Sequence, residues 1–359
     1  MDTQDRVIGL GGLSRLELGM RPSPLEHRPA LASGLDVDVD LWVKRDDLYG
    51  PGVGGNKIRK LEYVVADALQ RGCDTLVTTG AVQSNHARLT AVAGAVCGLG
   101  VHLVLDGDPV EKSGGNLVLD RLAGAELHFV RTQTWDELNA ATQAVADELA
   151  AAGRRCCVIP VGASMPLGAV GYADAYLELV SQLDEMGVQA EYLVHACGSG
   201  GTQGGLLAGR ALAAATGSGV TRAVDGTAAS SHATLPRVVG VDVAKSKGEL
   251  GPVVTEIAAG CLALVGSEAA VAAEDLVLVD GTGPAYGVVT PEGADAITVA
   301  LRTSGILLDP VYSGKALGAL PELVEGGVIR RGATVVFLHT GGSPALFAPS
   351  YADAVVDLL

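Results

Sequence analysis

Short apolar runs and longer amphipathic segments alternate along most of the chain. Runs at 75–79 and 101–105 have strand length, and the small-residue segment between them has helix length. The same alternation predicts further strands at 41–47, 126–130, 156–160, 191–197, 238–243, 276–279 and 335–338. It predicts helices at 60–71, 87–99, 117–122, 135–152, 204–215 and 290–303, and a loop at 162–171 that leads into a helix ending at 183. This order predicts an α/β fold with parallel strands and right-handed crossovers.

Residues 216–236 interrupt this pattern. They are rich in Gly, Ser, Thr and Ala and have no apolar periodicity, which predicts an exposed, mobile loop. The length of 359 residues indicates one large or two closely joined α/β domains.

Composition and charge narrow the function class. A net charge of −16 argues against a nucleic-acid or anionic-membrane partner, although it leaves room for a local basic pocket. Six cysteines are scattered without a CxxC pair, which predicts reduced thiols and a cytoplasmic protein. The amino terminus has no signal-like pattern, and no apolar run is long enough to span a bilayer. A small-molecule partner is therefore expected.

The segment Gly50-Pro-Gly-Val-Gly-Gly-Asn-Lys57 runs directly into a predicted helix. Glycines allow close approach of the backbone to a ligand, and a helix start offers free N–H groups. A lysine beside a buried ligand there can have a lowered pKa and act as a nucleophile. Taken alone, the segment is equally compatible with a surface loop and a solvated lysine.

A second glycine-rich turn, Gly198-Ser-Gly-Gly-Thr202, lies between a predicted strand and a helix. Its backbone N–H groups and hydroxyls could hold a phosphate. Gln203 replaces the third glycine of the dinucleotide fingerprint, and no Walker lysine follows. A single phosphate is the better interpretation, and an ordinary strand–helix turn is the alternative.

Three more turns carry polar side chains at predicted strand ends. Ser84 and Asn85 suit a substrate carboxylate or, alternatively, cap a helix; His86 taken alone is better interpreted as structural. Tyr286 and Tyr312 lie in Gly/Pro-framed turns, where a phenol can serve as acid or base or simply close the turn. The sequence has no G-x-S-x-G elbow and no HExxH motif, so neither serine-hydrolase chemistry nor a metal site is predicted.

Together these motifs resemble the 1-aminocyclopropane-1-carboxylate (ACC) deaminase/D-cysteine desulfhydrase family, over about residues 20–350. The resemblance rests on Val43-Lys-Arg-Asp-Asp47, Gly54-Gly-Asn-Lys-Ile-Arg-Lys-Leu-Glu62, Gln83-Ser-Asn-His86, Gly198-Ser-Gly-Gly-Thr-Gln203, Asp309-Pro-Val-Tyr-Ser-Gly-Lys315 and His339-Thr-Gly-Gly342. It implies a pyridoxal-phosphate enzyme of fold type II, with two open-twisted, mostly parallel sheet domains and helices on both faces. The implied domains are 1–58 plus 166–359 and 59–165, and a homodimer is expected.

The resemblance also implies residue roles. Lys57 would carry the cofactor and move the substrate α-proton, while Lys60 would be a structural helix lysine. The implied catalytic residues are Lys57, Tyr286, Tyr312 and Ser84. The implied cofactor-binding residues are Lys57, Asn56, Gly198, Ser199, Gly200, Gly201, Thr202, Ser313 and Thr340. The implied substrate-binding residues are Ser84, Asn85 and His86.

Departures from the family pattern bear on the substrate. The deaminase branch has a Glu after the second tyrosine, to pair with the pyridine nitrogen, and Ser313 stands there instead. A hydroxyl at Ser313 or Thr340 makes a weaker electron sink, which favours β-elimination over cyclopropane opening. D-cysteine is the expected substrate; L-cysteate, ACC and a pyridoxal-phosphate-binding protein without turnover are the alternatives. Met165 and Leu89 also depart from the family pattern, near the expected substrate.

Overall fold

A computed structural model describes residues 6–110, 114–215, 235–244 and 249–357. The strands are β1 (Arg6–Ile8), β2 (Ser14–Leu16), β3 (Leu25–His27), β4 (Val39–Lys44), β5 (Thr75–Ala81), β6 (Gly100–Asp106), β7 (Glu126–Val130), β8 (Cys156–Ile159), β9 (Tyr192–Cys197), β10 (Arg237–Asp242), β11 (Val277–Asp280) and β12 (Ala333–Leu338). The predicted loop at 216–236 lies almost entirely outside the described residues.

The α-helices cover most of the remaining described chain. They are α1 (Pro29–Gly34), α2 (Lys57–Gln70), α3 (Asn85–Cys97), α4 (Asn116–Leu122), α5 (Trp135–Ala151), α6 (Pro166–Glu185), α7 (Gly201–Ala215), α8 (Leu250–Leu264), α9 (Pro291–Ser304), α10 (Ser313–Gly318), α11 (Leu320–Glu325) and α12 (Pro349–Val356). None of the described helices has both the length and the apolar character that a membrane crossing requires.

The strands form two main sheets. The larger has the order β11-β10-β9-β12-β4-β3, parallel throughout except that β3 pairs antiparallel with β4. The smaller has the order β7-β6-β5-β8 and is parallel throughout. A short antiparallel pair, β1-β2, lies apart. The predicted mixed α/β architecture with mostly parallel sheets is confirmed.

Alternation along β12 explains why the large sheet is covered on both faces. Val335 and Phe337 belong to the core that includes residues of α1, α9 and α11. Val336 and Leu338 belong to the opposite core, with residues of α6 and α7. A strand buried on both faces is expected to be a near-continuous apolar run, and Thr334 is the only polar residue of β12.

The small sheet lies wholly within the segment predicted as the second domain. Its strands fall between Thr75 and Ile159, whereas those of the large sheet fall at 25–44 and 192–338. The predicted boundaries after residues 58 and 165 stay predictions. The first of them would fall inside the opening turn of α2, which begins at Lys57.

Several predicted element bounds were wrong by a few residues, for physical reasons. The strand predicted at 41–47 ends at Lys44, because the chain turns into a 3-10 helix at Asp46–Leu48 that buries Asp46 beside Arg59. Helix α7 begins at Gly201 rather than at 204, which places the end of the glycine-rich turn in the first helical turn. Periodicity also missed α8 and the short α10–α12.

Candidate active site

The carboxyl ends of both sheets open into one cavity of about 530 Å³. Gly80 and Ala81 at the end of β5, and Cys197 at the end of β9, are among its lining residues. The volume is within the range of about 300–1,000 Å³ that is usual for small-molecule sites. Of the predicted site residues, twelve line it: Asn56, Lys57, Ser84, Asn85, His86, Gly198, Ser199, Gly200, Thr202, Tyr286, Tyr312 and Thr340.

Asn56 links the two glycine-rich turns. Lys57 Nζ donates to Asn56 Oδ1 at 3.0 Å, and Asn56 Nδ2 donates to Thr202 Oγ1 at 3.2 Å. The backbone N–H of Asn56 donates to the carbonyl of Thr340 at 2.9 Å. Residues that the sequence placed in three separate motifs therefore meet around one lysine.

Lys57 has the electrostatics of a reactive amine. Burial lowers its pKa to about 8; Asp309 opposes this shift and Arg88 adds to it. A lysine in such a setting has a much larger neutral fraction near pH 7–8 than a solvated one, whose pKa is about 10.4. The alternative of a solvated surface lysine does not describe this residue.

The turn before α7 fits a phosphate. Gly200 has a φ of 86°, which favours glycine, and a Cβ added at Gly201 would lie 2.7 Å from Ser164 Oγ and 2.8 Å from Lys60 Nζ. The N–H of Gly201 donates to Ser164 Oγ at 3.2 Å, and Ser164 Oγ lies 2.7 Å from Ser199 Oγ. Hydroxyls, an amine and a helix start therefore converge where an anion is stabilised.

Lys60 was interpreted from the sequence as a structural helix lysine, and it lies at this turn. Its Nζ donates to the carbonyl of Gly162 at 3.1 Å. Burial, and then the charge of Lys57, hold its pKa well below the ordinary value. A phosphate at the turn would favour the charged form of Lys60.

The Ser84–Asn85–His86 turn occupies a second helix start facing the cavity. Ser84 Oγ accepts from Ala87 N at 3.1 Å, so it caps α3 and keeps its own proton for donation. Asn85 Oδ1 accepts from Asn116 Nδ2 at 2.9 Å. His86 lies 2.8 Å from Thr78 Oγ1, and burial, with the nearby Lys57 and Lys60, holds its pKa well below its ordinary value. A neutral His86 leaves the helix start as the attraction for a carboxylate.

The two predicted tyrosines contact each other at the cavity. Their hydroxyl oxygens are 2.6 Å apart, and the rings meet edge to face with centroids 6.1 Å apart. Burial, followed by the neighbouring Tyr286, raises the pKa of Tyr312 well above its ordinary value, so Tyr312 remains a proton donor. Tyr286 is 41% exposed and lies at the solvent side of the pair.

Buried polar residues fix both tyrosine turns. Asp309 accepts from the backbone N–H of Tyr312 at 2.9 Å and from the Ser313 hydroxyl at 2.6 Å. Lys315 Nζ donates to the carbonyls of Thr282 and Ala285, at 2.5 and 3.3 Å, just before Tyr286. Asp309 and Lys315 are 0% and 3% exposed, so these contacts are shielded from water.

Of the two hydroxyls predicted near the pyridine ring, the structure brings only Thr340 to the cavity. Ser313 is buried, its hydroxyl is bonded to Asp309, and it is not among the described lining residues. Asp106, at the end of β6, is the only carboxylate among those lining residues, and its Oδ1 accepts from Thr132 N at 3.0 Å.

Sequence reasoning missed four contributors to the site. Ser164 and Lys60 reach the phosphate turn, Cys197 lines the cavity, and Arg88 donates to the carbonyls of Gly52 and Gly54. Burial raises the pKa of Cys197 to about 12, so its thiol stays protonated. The one available signal was spacing: Lys60 follows Lys57 by three residues and hence shares its helix face. The segment 132–135, which leads into α5, also lines the cavity and had no sequence signal.

Comparisons with known proteins agree with this geometry. The sequence profile described as "Pyridoxal-phosphate dependent enzyme" matches residues 16–341. A relative from Pyrococcus abyssi, "Putative 1-aminocyclopropane-1-carboxylate deaminase", is 39% identical over 350 residues, which cover 98% of this chain and 97% of the relative. The "D-cysteine desulfhydrase" of Salmonella typhi is 37% identical over 342 residues, which cover 93% and 95%.

The chain belongs to the ACC deaminase/D-cysteine desulfhydrase family of pyridoxal-phosphate-dependent enzymes. A crystal structure of an ACC deaminase homologue matches with a TM-score of 0.83 and 34% identity, covering 96% of both chains. The apo diaminopropionate ammonia lyase of Escherichia coli, 18% identical with a TM-score of 0.62, shares the fold. The predicted family, fold type and cofactor are confirmed. The comparisons do not distinguish D-cysteine from ACC, and the predicted residue roles stay predictions.

Proposed function

We propose that this enzyme eliminates the β-substituent of an amino acid, with D-cysteine as the preferred substrate. In the balanced reaction, D-cysteine and water give pyruvate, ammonia and hydrogen sulfide. The observation that carries this choice is the environment of Ser313 and Thr340. Ser313 replaces the glutamate of the deaminase branch and is bonded to Asp309, and the cavity offers the hydroxyl of Thr340 instead.

The cofactor, when bound, withdraws electrons from the substrate α-carbon. A carboxylate beside the pyridine nitrogen would strengthen that withdrawal by holding a proton on the ring, whereas a hydroxyl does so poorly. The weaker sink suits loss of an α-proton followed by departure of a good leaving group. It suits the opening of a cyclopropane ring less well.

The residues of this chain divide the remaining work. Lys57 would carry the cofactor and then accept the α-proton, a role for which an amine with a pKa of about 8 is suited. Gly198, Ser199, Gly200, Gly201 and Thr202 would hold the phosphate, with Asn56 beside the ring. Ser84 and Asn85 would hold the substrate carboxylate at the start of α3, next to His86.

The tyrosine pair would serve the leaving group. The two hydroxyl oxygens are 2.6 Å apart, so one hydroxyl donates a hydrogen bond to the other, and burial keeps Tyr312 protonated. A phenol at the cavity can give a proton to a departing thiolate and be re-supplied through its partner. Tyr286, which reaches solvent, is suited to that re-supply.

ACC deamination is the second candidate, because a Pyrococcus abyssi relative of nearly full length carries that name. L-cysteate elimination, with sulfite as the leaving group, is a third. A protein that binds the cofactor without turnover is the least favoured, since Lys57 and both tyrosines are present and meet at one cavity. We also propose that the protein is a cytoplasmic homodimer. Light scattering on the purified protein would test whether it is a dimer.

The deciding experiment measures keto-acid release from D-cysteine, L-cysteine, β-chloroalanine, L-cysteate and ACC at matched concentrations. Pyruvate should form fastest from D-cysteine, with one sulfide per pyruvate. Faster release of 2-oxobutyrate from ACC would make the enzyme a deaminase, and sulfite with pyruvate from cysteate would change the leaving group. No keto acid from any substrate, despite a cofactor absorbance band, would leave the binding-protein alternative.

A further inference from the structure

Three metal-ligating side chains meet on the small sheet, away from the cavity. They are His102 on β6 and Glu126 and His128 on β7, and their ligand atoms all lie within 4.8 Å of one another. None of the three is among the lining residues of the active-site cavity. No sequence motif pointed to this group, because its members come from two separate strands.

Strand geometry explains why they share one face. His102 and Glu126 are register partners, and His128 follows Glu126 by two positions on the same strand. Side chains two apart on a strand point the same way. Val101, Leu103 and Leu105 lie in the buried core, so His102 faces the opposite side of the sheet.

The distances suit one metal ion. His102 Nδ1 lies 3.0 Å from His128 Nε2 and 3.5 Å from Glu126 Oε2. Tetrahedral zinc has bonds of about 2.0–2.2 Å to nitrogen and oxygen, which places neighbouring ligand atoms about 3.3–3.6 Å apart. The His102–Glu126 distance falls in this range and the His102–His128 distance is slightly shorter, so a small side-chain movement would let His102 Nδ1 share a metal with both partners.

We propose that His102, Glu126 and His128 form a zinc-binding site with one position open to water. Two imidazole nitrogens and a carboxylate oxygen are ligands that zinc accepts, and they suit magnesium poorly. Arg154, a positive charge that acts on His102, donates to Thr75 Oγ1 at 2.9 Å and pairs with Asp74 at 3.3 Å.

The bound ion would join the edge strand β7 to β6. Both histidines are half-buried, whereas the side chain of Glu126 is 71% exposed, so an ion can enter from solvent at that side. Beyond β7 the chain continues through Arg131 to the 132–135 wall of the cavity. The expected consequence is a more stable small sheet, because a ligand that binds only the folded state stabilises it.

The test is calorimetric titration of zinc chloride into tag-free holoenzyme that has been treated with a chelator and dialysed. We expect one zinc per chain and a rise in the midpoint of thermal unfolding. H102N and H128N should each weaken binding by at least about tenfold. Magnesium chloride should neither bind nor compete.

A matched control and a variant of the third ligand make the result specific. H27N changes an exposed histidine that is paired with Asp40 on the large sheet, and it should leave zinc affinity unchanged. E126Q changes an exposed side chain that cannot unfold the sheet, and it should weaken binding less than either histidine variant does. The cofactor absorbance band confirms that each variant is folded.

Absence of saturable zinc binding, or equal zinc affinity in wild type, H102N and H128N, would overturn the proposal and leave a plain histidine–histidine hydrogen bond. If both histidine variants lose the cofactor band, E126Q decides: unchanged affinity in that variant overturns the site as well. None of these readouts depends on which amino acid the enzyme consumes.

Discussion

Arg59 and Lys57 lie two residues apart on α2, and their surroundings shift the pKa of the two side chains in opposite directions. Arg59 is 0% exposed, and burial opposes its charge, yet Asp46 and Glu178 outweigh burial and raise its pKa well above the ordinary value. For Lys57, burial is the largest effect; Asp309 opposes it, Arg88 adds to it, and the pKa falls to about 8. Burial alone does not lower the pKa of a cationic side chain; burial without sufficient counter-charge does.

The region around Arg59 is a closed network of ion pairs. Arg59 Nε and Nη2 donate to Asp46 at 2.8 Å, and Nη2 donates to Glu178 Oε1 at 2.8 Å. Lys44 Nζ contacts the same Glu178 oxygen at 2.5 Å. This network anchors α2 to residues of other elements, while the first residue of the helix, Lys57, lines the cavity.

The largest effect is expected from removing the reactive amine of Lys57. K57A should lose the visible absorbance band of the bound cofactor and at least about 10³-fold in keto-acid release, because both cofactor attachment and proton transfer use this amine. K60M is the matched control: it should keep the band at saturating cofactor. If K57A kept the band and K60M lost it, Lys60 rather than Lys57 would carry the cofactor.

Next in size is the tyrosine pair. Y312F should reduce kcat by about 10²–10⁴-fold, which is the usual contribution of a positioned proton donor. The cofactor band should be unchanged, since the change removes one hydroxyl and keeps the ring. Y351F is a control on a neighbouring tyrosine of α12 and should leave kcat within about twofold. Equal activity in Y312F and wild type would remove the pair from the mechanism.

The ion-pair network should show a stability effect instead. D46N leaves Arg59 without its main partner and should cost about 3–5 kcal/mol in the free energy of unfolding measured in urea. E191Q, which breaks the exposed pair with Arg330, should cost at most about 1 kcal/mol. Similar costs for the two variants would mean that burial does not distinguish these charges.

The smallest expected effect is the pH dependence of cofactor recapture by Lys57. Since the pKa of Lys57 is about 8, the rate at which cofactor-free enzyme recaptures pyridoxal phosphate should rise with pH and level off above about pH 8. The rise follows from deprotonation, which creates the nucleophile. Stopped-flow absorbance measures the rate, and Nα-acetyl-lysine under the same conditions should still accelerate near pH 10. An inflection near pH 10 in the enzyme would contradict the lowered pKa.

Much of the fold could be predicted because local patterns reported it. Strand β12 is a nearly continuous apolar run, and β5 is rich in Thr and Val, which favour strands. Helix α9 has Thr290 as its N-cap and Pro291 as its first residue, which are local signals of a helix start. Helix α8 was missed, because a helix that is apolar on most faces has little periodicity to detect. Strand ends were displaced where side chains such as Asp46 found partners distant in sequence.

By itself the sequence determined the family, the cofactor and the candidate lysine. Glycine-rich turns at strand ends and a lysine at a helix start are local features, and their order along the chain is specific. Only the tertiary structure decided which groups meet. In the folded protein, Asn56 is hydrogen-bonded to Thr202 and the Ser313 hydroxyl is hydrogen-bonded to Asp309. Lys60 lies at the phosphate turn, and His102 lies beside Glu126 and His128. Apart from the local Ser313–Asp309 bond, these contacts join residues that are distant in the sequence, and the pKa of a buried group depends on such neighbours rather than on its own place in the chain.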